Sequence, residues 1–165
     1  MVTMSAQEEK QLVVFNLGQE SYGVDIGSIR EIIRMQEIAR VPRTPDFVEG
    51  VINLRGKVIP VVSLRKRFGL PDVEQNKDNR IVVVDIDGQD IGMRVDAVTE
   101  VLRVSSSVVE PVSNVILTAA SAYLTGIAKL KDRLIILLDL RRVFSEAEKG
   151  SLAGKTAGPA GLPMR

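Results

Sequence analysis

Any chemistry in this chain would have to come from its carboxylates. Asp85, Asp87, Asp90 and Asp96 crowd one stretch, and Asp25, Asp96 and Glu100 could serve as acids or bases. Neither grouping has the company it needs. Asp85 and Asp87 flank a turn without calcium-loop spacing around them, so no metal is expected. The sequence has no histidine and no cysteine, which removes the commonest general base, the usual zinc ligands and any disulfide framework. No acid–base pair comes with a third residue to orient it, and Gly23, Gly27, Gly50 and Gly56 form no phosphate cradle. There remains Arg55, in the run Asn53, Leu54, Arg55, Gly56, Lys57. Its planar fork suits a carboxylate on a partner. Its plainest role is a solvated turn arginine beside Gly56, the glycine taking the positive φ. The expectation is a binding protein: no enzyme, no cofactor and no metal.

Arg55 needs a hairpin to hold it. Gly50, Val51 and Ile52 precede the turn, and Val58, Ile59, Pro60, Val61 and Val62 follow it, two apolar runs around an Arg-Gly turn. Pro60 cannot donate to a ladder, which predicts an edge or bulged strand. Residues 64–68 fit one helical turn ended by Gly69, and the clusters Arg65, Lys66, Arg67 and Arg141, Arg142 fit charges at the last turn of short helices. Upstream, residues 11–17 and 21–26 are strand-like, and 28–34 is a turn passing into strand. Pro42 and Pro45 make 41–45 an irregular loop.

Most of this unit occurs twice. Adding 69 to residues 12–34 returns the pattern: Leu12, Val13 and Val14 become Ile81, Val82 and Val83; Gly23 becomes Gly92; Ile29 becomes Val98; Glu31 becomes Glu100. Past Pro42 and Pro111 the offset is 76, so Gly50 becomes Gly126, Leu64 becomes Leu140 and Phe68 becomes Phe144, while Pro60 meets Ile136 and Arg55 meets Lys131. Such a module of about 60 residues buries too little apolar surface to be comfortable alone. Two copies sharing a core, each closed to hide its edges, answer that. The predicted fold is mainly β: two small five-stranded barrels related by internal duplication, with a few short helices and a groove between them. The expected divisions are a disordered start at 1–10, a first barrel at 11–70, a polar linker at 71–79, a second barrel at 80–150 and a disordered Gly/Pro/Ala-rich tail at 151–165.

Bulk composition agrees with a soluble binding module. Of 165 residues 45% are hydrophobic, enough for a core, and the formal net charge is +1, which gives no electrostatic case for nucleic acid or an anionic membrane. Aromatics at 4% are too few for base-stacking platforms. No apolar run reaches the roughly 18–20 residues of a membrane helix, and the polar start has no signal-peptide core, so a cytoplasmic location is expected.

Several motifs together resemble the CheW-like family of bacterial chemotaxis coupling proteins: F-x-L-G-x-E-x-Y-G-V-D-I at 15–26, E-I at 31–32, V-P-R-T-P at 41–45, G-V-I-N-L-R-G-K-V-I-P-V-V-S-L-R at 50–65 and G-x-x-V-D-x-V-x-E-V-L at 92–102. The likeness runs from about residue 11 to 148, and Asn53, Leu54, Gly56 and Pro60 carry its most specific motif. It implies an SH3-like two-barrel fold, no catalysis, and an adaptor that couples the histidine kinase CheA, through its regulatory domain, to the cytoplasmic tips of methyl-accepting chemoreceptors. It places the protein in the cytoplasm, joined to receptor arrays at the inner membrane only through partners. It implies receptor contacts at Ile29, Glu31, Arg55, Val98 and Val101 and assigns no residue to the kinase face. The competing view of Ile29, Val98 and Val101 is simple core packing, and the competing function is a small-ligand-binding or hydrolytic barrel using surface carboxylates.

Overall fold

The computed structural model describes residues 9–110 and 123–143. The expected disordered tail, Pro111, Phe144 and the first eight residues lie outside that range. The chain runs through strands β1 (Glu9–Leu17), β2 (Glu20–Asp25), β3 (Ile29–Arg34), β4 (Val48–Leu54) and β5 (Lys57–Ser63), then helix α1 (Leu64–Arg67). There follow β6 (Arg80–Ile86), β7 (Gln89–Val95), β8 (Ala97–Ser105), β9 (Val109–Glu110), β10 (Leu124–Lys129), β11 (Leu134–Leu138) and helix α2 (Leu140–Val143). Glu9 and Lys10, expected to be disordered, open β1 and pair with Ser105 and Val104 of β8. Among the described residues no helix is long and apolar enough to cross a membrane.

The strands form two sheets, one of order β3-β6-β7-β5-β4 and one of order β8-β1-β2-β11-β10-β9. Each matches the other under the internal repeat, but with an exchange. The five-stranded sheet takes β3, β4 and β5 from the first copy and β6 and β7 from the second. The six-stranded sheet takes the complement. The expected barrels at 11–70 and 80–150 are therefore not how the strands are shared. Residues 29–95 contribute every strand of one barrel, and the other is assembled from 9–25 and 97–138. The chain crosses between barrels at the 3-10 turn Ile26–Ser28 and at Asp96, whereas the polar segment 71–79 joins two strands of one sheet. Edge pairing explains the exchange. Each copy's first hairpin lies in parallel beside the other copy's fifth strand, Val61 against Gly92 and Leu137 against Gly23, so neither copy closes a sheet alone.

Three hydrophobic cores follow from this. Ile52, Ile59, Val61, Ile81 and Val83 fill the five-stranded barrel, and Leu12, Val14, Val104, Ala128, Ile135 and Leu137 fill the six-stranded one. The largest cluster joins the barrels, with Val13, Phe15, Leu17, Val82, Val84, Ile86 and Met93 among its members. The strands β1 and β6 thus bury both faces, their alternate residues entering different cores. That is why residues 12–15 and 81–84 are continuously apolar rather than alternating. Aromatic rings line the junction: Phe15 stacks on Tyr22 at 5.9 Å, Tyr22 meets Phe68 tilted at 5.7 Å, and Phe68 stacks on Tyr123 at 5.6 Å. Arg67, expected to do no more than cap its helix, lies over Phe47 and Tyr123 and donates to the Val143 carbonyl at 2.7 Å.

Pro60 departs from expectation. The strand that carries it, β5, is interior, with β4 on one side and β7 on the other. Pairing with β7 begins only at Val61, so the ring sits where no ladder bond to β7 is required. The bulge is on β4, between Val48 and Gly50, and it recurs on β10 between Leu124 and Gly126. Both glycines let another segment approach. A Cβ on Gly50 would lie 2.1 Å from the Ala39 carbonyl oxygen, and one on Gly126 would lie 2.8 Å from that of Glu110.

Candidate functional site

The hairpin that carries Arg55 is a two-residue turn, Leu54 pairing with Lys57. Both central residues have positive φ, 53° at Arg55 and 87° at Gly56, as a type I′ turn demands. Gly56 was expected to carry that conformation alone; the two-residue loop forces it on Arg55 as well. Asn53 braces the turn, its Oδ1 accepting from the Gly56 N–H at 2.7 Å. The β6–β7 turn repeats the device: Asp87 and Gly88 have positive φ, and Asp85 Oδ1 accepts from Gly88 N–H at 2.9 Å. Leu54 packs against the barrel interior. Asn53, Leu54, Gly56 and Pro60 are thus each accounted for by the fold. Arg55 is the motif member left outside, its side chain 70% exposed.

Arg55 Nη2 donates to Glu31 Oε2 on β3. Since β3 and the β4–β5 hairpin flank opposite edges of the sheet, this ion pair clasps the barrel's seam. Gln36 Nε2 to the Asn53 carbonyl at 3.4 Å and the Ala39–Val51 bridge run along the same seam. The hydrogen bond to Glu31, then its charge, pushes the Arg55 pKa above its already high value, so the arginine is a permanent cation. Nearby, Asp90 receives Lys57 at 2.8 Å and Arg30 at 2.8 Å. The Lys57 hydrogen bond foremost, with Arg30 assisting against desolvation, holds the Asp90 carboxyl below the usual carboxylate range.

The five expected contact residues fall into three groups. Ile29 and Val98 are half-buried and pack on the core between the barrels, so for these two the packing view holds. Glu31 and Arg55 are brought together. Val101 is 52% exposed on the edge strand β8 and does not pack in the core. Its repeat partner Ile32, 38% exposed on β3, was missed, although the offset of 69 points to it. Glu100 pairs with Arg133 through Oε2 and Nη2, the same atoms as in the Glu31–Arg55 pair. That arginine was also missed, because the alignment sets Lys131 opposite Arg55.

The other carboxylates proposed for chemistry hold the fold. Asp25 Oδ1 accepts from Gly27 N–H at 2.8 Å. Asp96, at the second crossing, takes Arg65 at 2.9 and 2.7 Å and the Gly18 N–H at 2.7 Å. The Arg65 hydrogen bonds chiefly, with Gly18 adding to them, hold its carboxyl below the usual range. Among the described residues no three acidic side chains gather as a metal site.

Comparison with known proteins places this arrangement. The CheW-like domain family model matches residues 11–148. A chemotaxis protein CheW from Helicobacter pylori is 38% identical over 140 residues, covering 85% of this chain and 84% of that protein. One from Klebsiella aerogenes is 34% identical over 139 residues, covering 84% of each. The crystal structure of scaffolding protein TtCheW from Thermoanaerobacter tengcongensis is similar at a TM-score of 0.79 and 42% identity, covering 86% of this chain and 96% of that one. The chain belongs to the CheW-like domain family.

Proposed function

We propose that this protein is a non-catalytic adaptor that couples the chemotaxis histidine kinase CheA to the cytoplasmic tips of chemoreceptors. It works in the cytoplasm and reaches the membrane only through those partners. The observation that carries the proposal is Arg55. Every other member of its motif is consumed by the turn and the barrel, while this guanidinium is set outward on a braced hairpin. One nitrogen is bound by Glu31, and the fork's remaining donors suit a partner's carboxylate. Val101, exposed on the edge strand β8 of the other sheet, offers an apolar side chain of the kind a receptor helix needs. The relatives' names, chemotaxis protein CheW and a scaffolding protein, support the same reading. The engagement of Asp25, Asp96 and Glu100 in structural bonds weighs against a hydrolytic barrel.

The test is a binding titration of the purified chain against a receptor cytoplasmic fragment and, separately, the CheA regulatory domain. Wild type should bind both at tens of micromolar or below. Arg55→Glu should weaken receptor binding about tenfold or more, by charge reversal at a recognition site, with an unchanged circular dichroism spectrum. Unaltered receptor affinity in that variant would remove Arg55 from the site.

A further inference from the structure

The register of β3 against β6 sets two arginines face to face. Arg34 is directly opposite Arg80 in the antiparallel ladder, and side chains so placed stand on the same side of the sheet, about 5 Å apart at Cβ. Like charges in directly opposed positions destabilise a ladder. Among the described residues no carboxylate relieves this one. Arg80 Nη1 donates to the Lys77 and Asn79 carbonyls, both at 2.8 Å, and neither arginine has an acidic partner. A third cation joins them: Arg34, Lys77 and Arg80 line one open concavity of about 710 Å³. Asp78 is the one acid in its described wall, and it pairs with none of the three, so positive charge is in surplus there.

The internal repeat shows that the fold does not require this pair. Adding 69 to Arg34 gives Arg103, and Arg80 is the counterpart of Gln11. In the six-stranded sheet Gln11 and Arg103 are likewise directly opposed. The same place in the same ladder is therefore built there with one charge, and Arg103 has Glu9 at 3.8 Å. One barrel avoids the repulsion and the other keeps it. A destabilising feature that the duplicated fold can do without points to a ligand of opposite charge.

We infer that Arg34, Lys77 and Arg80 form a binding site for an acidic segment of a partner protein, one with closely spaced carboxylates. The inference is independent of the receptor contacts proposed above and uses none of their residues. Charge complementarity selects the occupant. Guanidinium forks take carboxylates bidentately, and the two carbonyl bonds hold the Arg80 fork in place. The concavity is open, and Met35 is its one apolar wall residue among the described residues. It lacks the apolar and aromatic enclosure that holds a small organic molecule. Three cations fall short of the roughly four to eight that mark a segment for anionic lipid. A net charge of +1 provides no wider footprint for nucleic acid.

The test is a titration of hexaglutamate peptide into the isotope-labelled chain, followed by amide NMR. Saturable shifts should centre on Arg34, Lys77 and Arg80, and binding should weaken as salt rises from about 50 to about 300 mM. The double variant Arg34→Gln, Arg80→Gln should raise the Kd at least about fivefold. Arg103→Gln removes the same charge from the equivalent ladder and should change it less than about twofold. Thermal unfolding of the double variant should give a Tm equal to or above that of wild type, because a repulsion is relieved. A lowered Tm would assign the arginines to the fold and overturn the inference. Absence of saturable shifts at these residues, or an equal loss in Arg103→Gln, would overturn it too. Inorganic phosphate is the competing probe: if it saturates the same amides as tightly as the peptide, the site takes small anions and the acidic segment is ruled out.

Discussion

Replacing Gly50 by alanine should unfold the seam of the five-stranded barrel. At φ 145° the backbone is in a region that L residues rarely adopt, and the new Cβ would lie 2.1 Å from the Ala39 oxygen and 2.8 Å from both the Ala39 carbonyl carbon and Ile38 Cγ2. Backbone cannot give way as a flexible side chain can. Relief requires the segment carrying Ala39 to lift off β4, which breaks Ala39 N–H to the Val51 carbonyl and Val51 N–H to the Ala39 carbonyl, both 2.8 Å. Two neutral hydrogen bonds contribute about 2 kcal/mol together, and the unfavourable φ costs roughly 1–2 kcal/mol more. The expected loss is about 3–4 kcal/mol out of a typical 5–15, or roughly 10 °C in Tm for a chain of this size. Gly56→Ala is the control: its φ is 87° but nothing lies within 4 Å of the added carbon, so about 1 kcal/mol is expected. Urea titration followed by circular dichroism measures both. Equal losses in the two variants, or less than about 1 kcal/mol for Gly50→Ala, would refute the close-approach argument.

Other outcomes follow from the same geometry. Gly126→Ala should repeat the Gly50 effect at a smaller size, because its added carbon meets the Glu110 oxygen at 2.8 Å rather than 2.1 Å; the same titration ranks them. Asp90 and Asp96 have folded pKa values below their unfolded ones. Their contribution is therefore fully present above the unfolded carboxylate value, about 4, and is lost as pH falls below it. Stability measured from pH 6 to pH 3 should drop, and Asp96→Asn should flatten that drop while lowering stability at pH 7. Arg67→Met keeps most of the side chain's bulk but removes the cation over Phe47 and Tyr123 and the hydrogen bond to Val143. It should cost about 2 kcal/mol, checked by thermal unfolding.

The sequence showed the strands and the duplication clearly, because hydrophobic period and glycine position are local. It did not show the exchange of hairpins. Which copy's β5 pairs with which β2 depends on parallel contacts between residues more than a hundred positions apart, such as Leu137 and Gly23. The continuous apolar runs at 12–15 and 81–84 carried a hint, since a strand buried on both faces must lie between two cores. Pro60 misled for a related reason. A proline excludes one ladder bond, not a whole strand, and β5 meets β7 only from Val61 onward. At the candidate site, Glu31 and Arg55 were named separately, but their pairing depends on how the barrel's seam closes. Arg133 left no trace in the alignment because it aligns with Lys57 rather than Arg55, and only its bond to Glu100 shows the likeness of the two ion pairs.

The central claim is that an exposed arginine on a duplicated barrel fold, Arg55, serves assembly rather than catalysis. The most direct measurement is co-sedimentation of this chain with a CheA kinase and a receptor cytoplasmic fragment, together and pairwise, at tens of micromolar. The account predicts that the three components pellet together and that the kinase is not recruited to the receptor fragment when this chain is left out. A chain that remains in the supernatant with both partners present would contradict it.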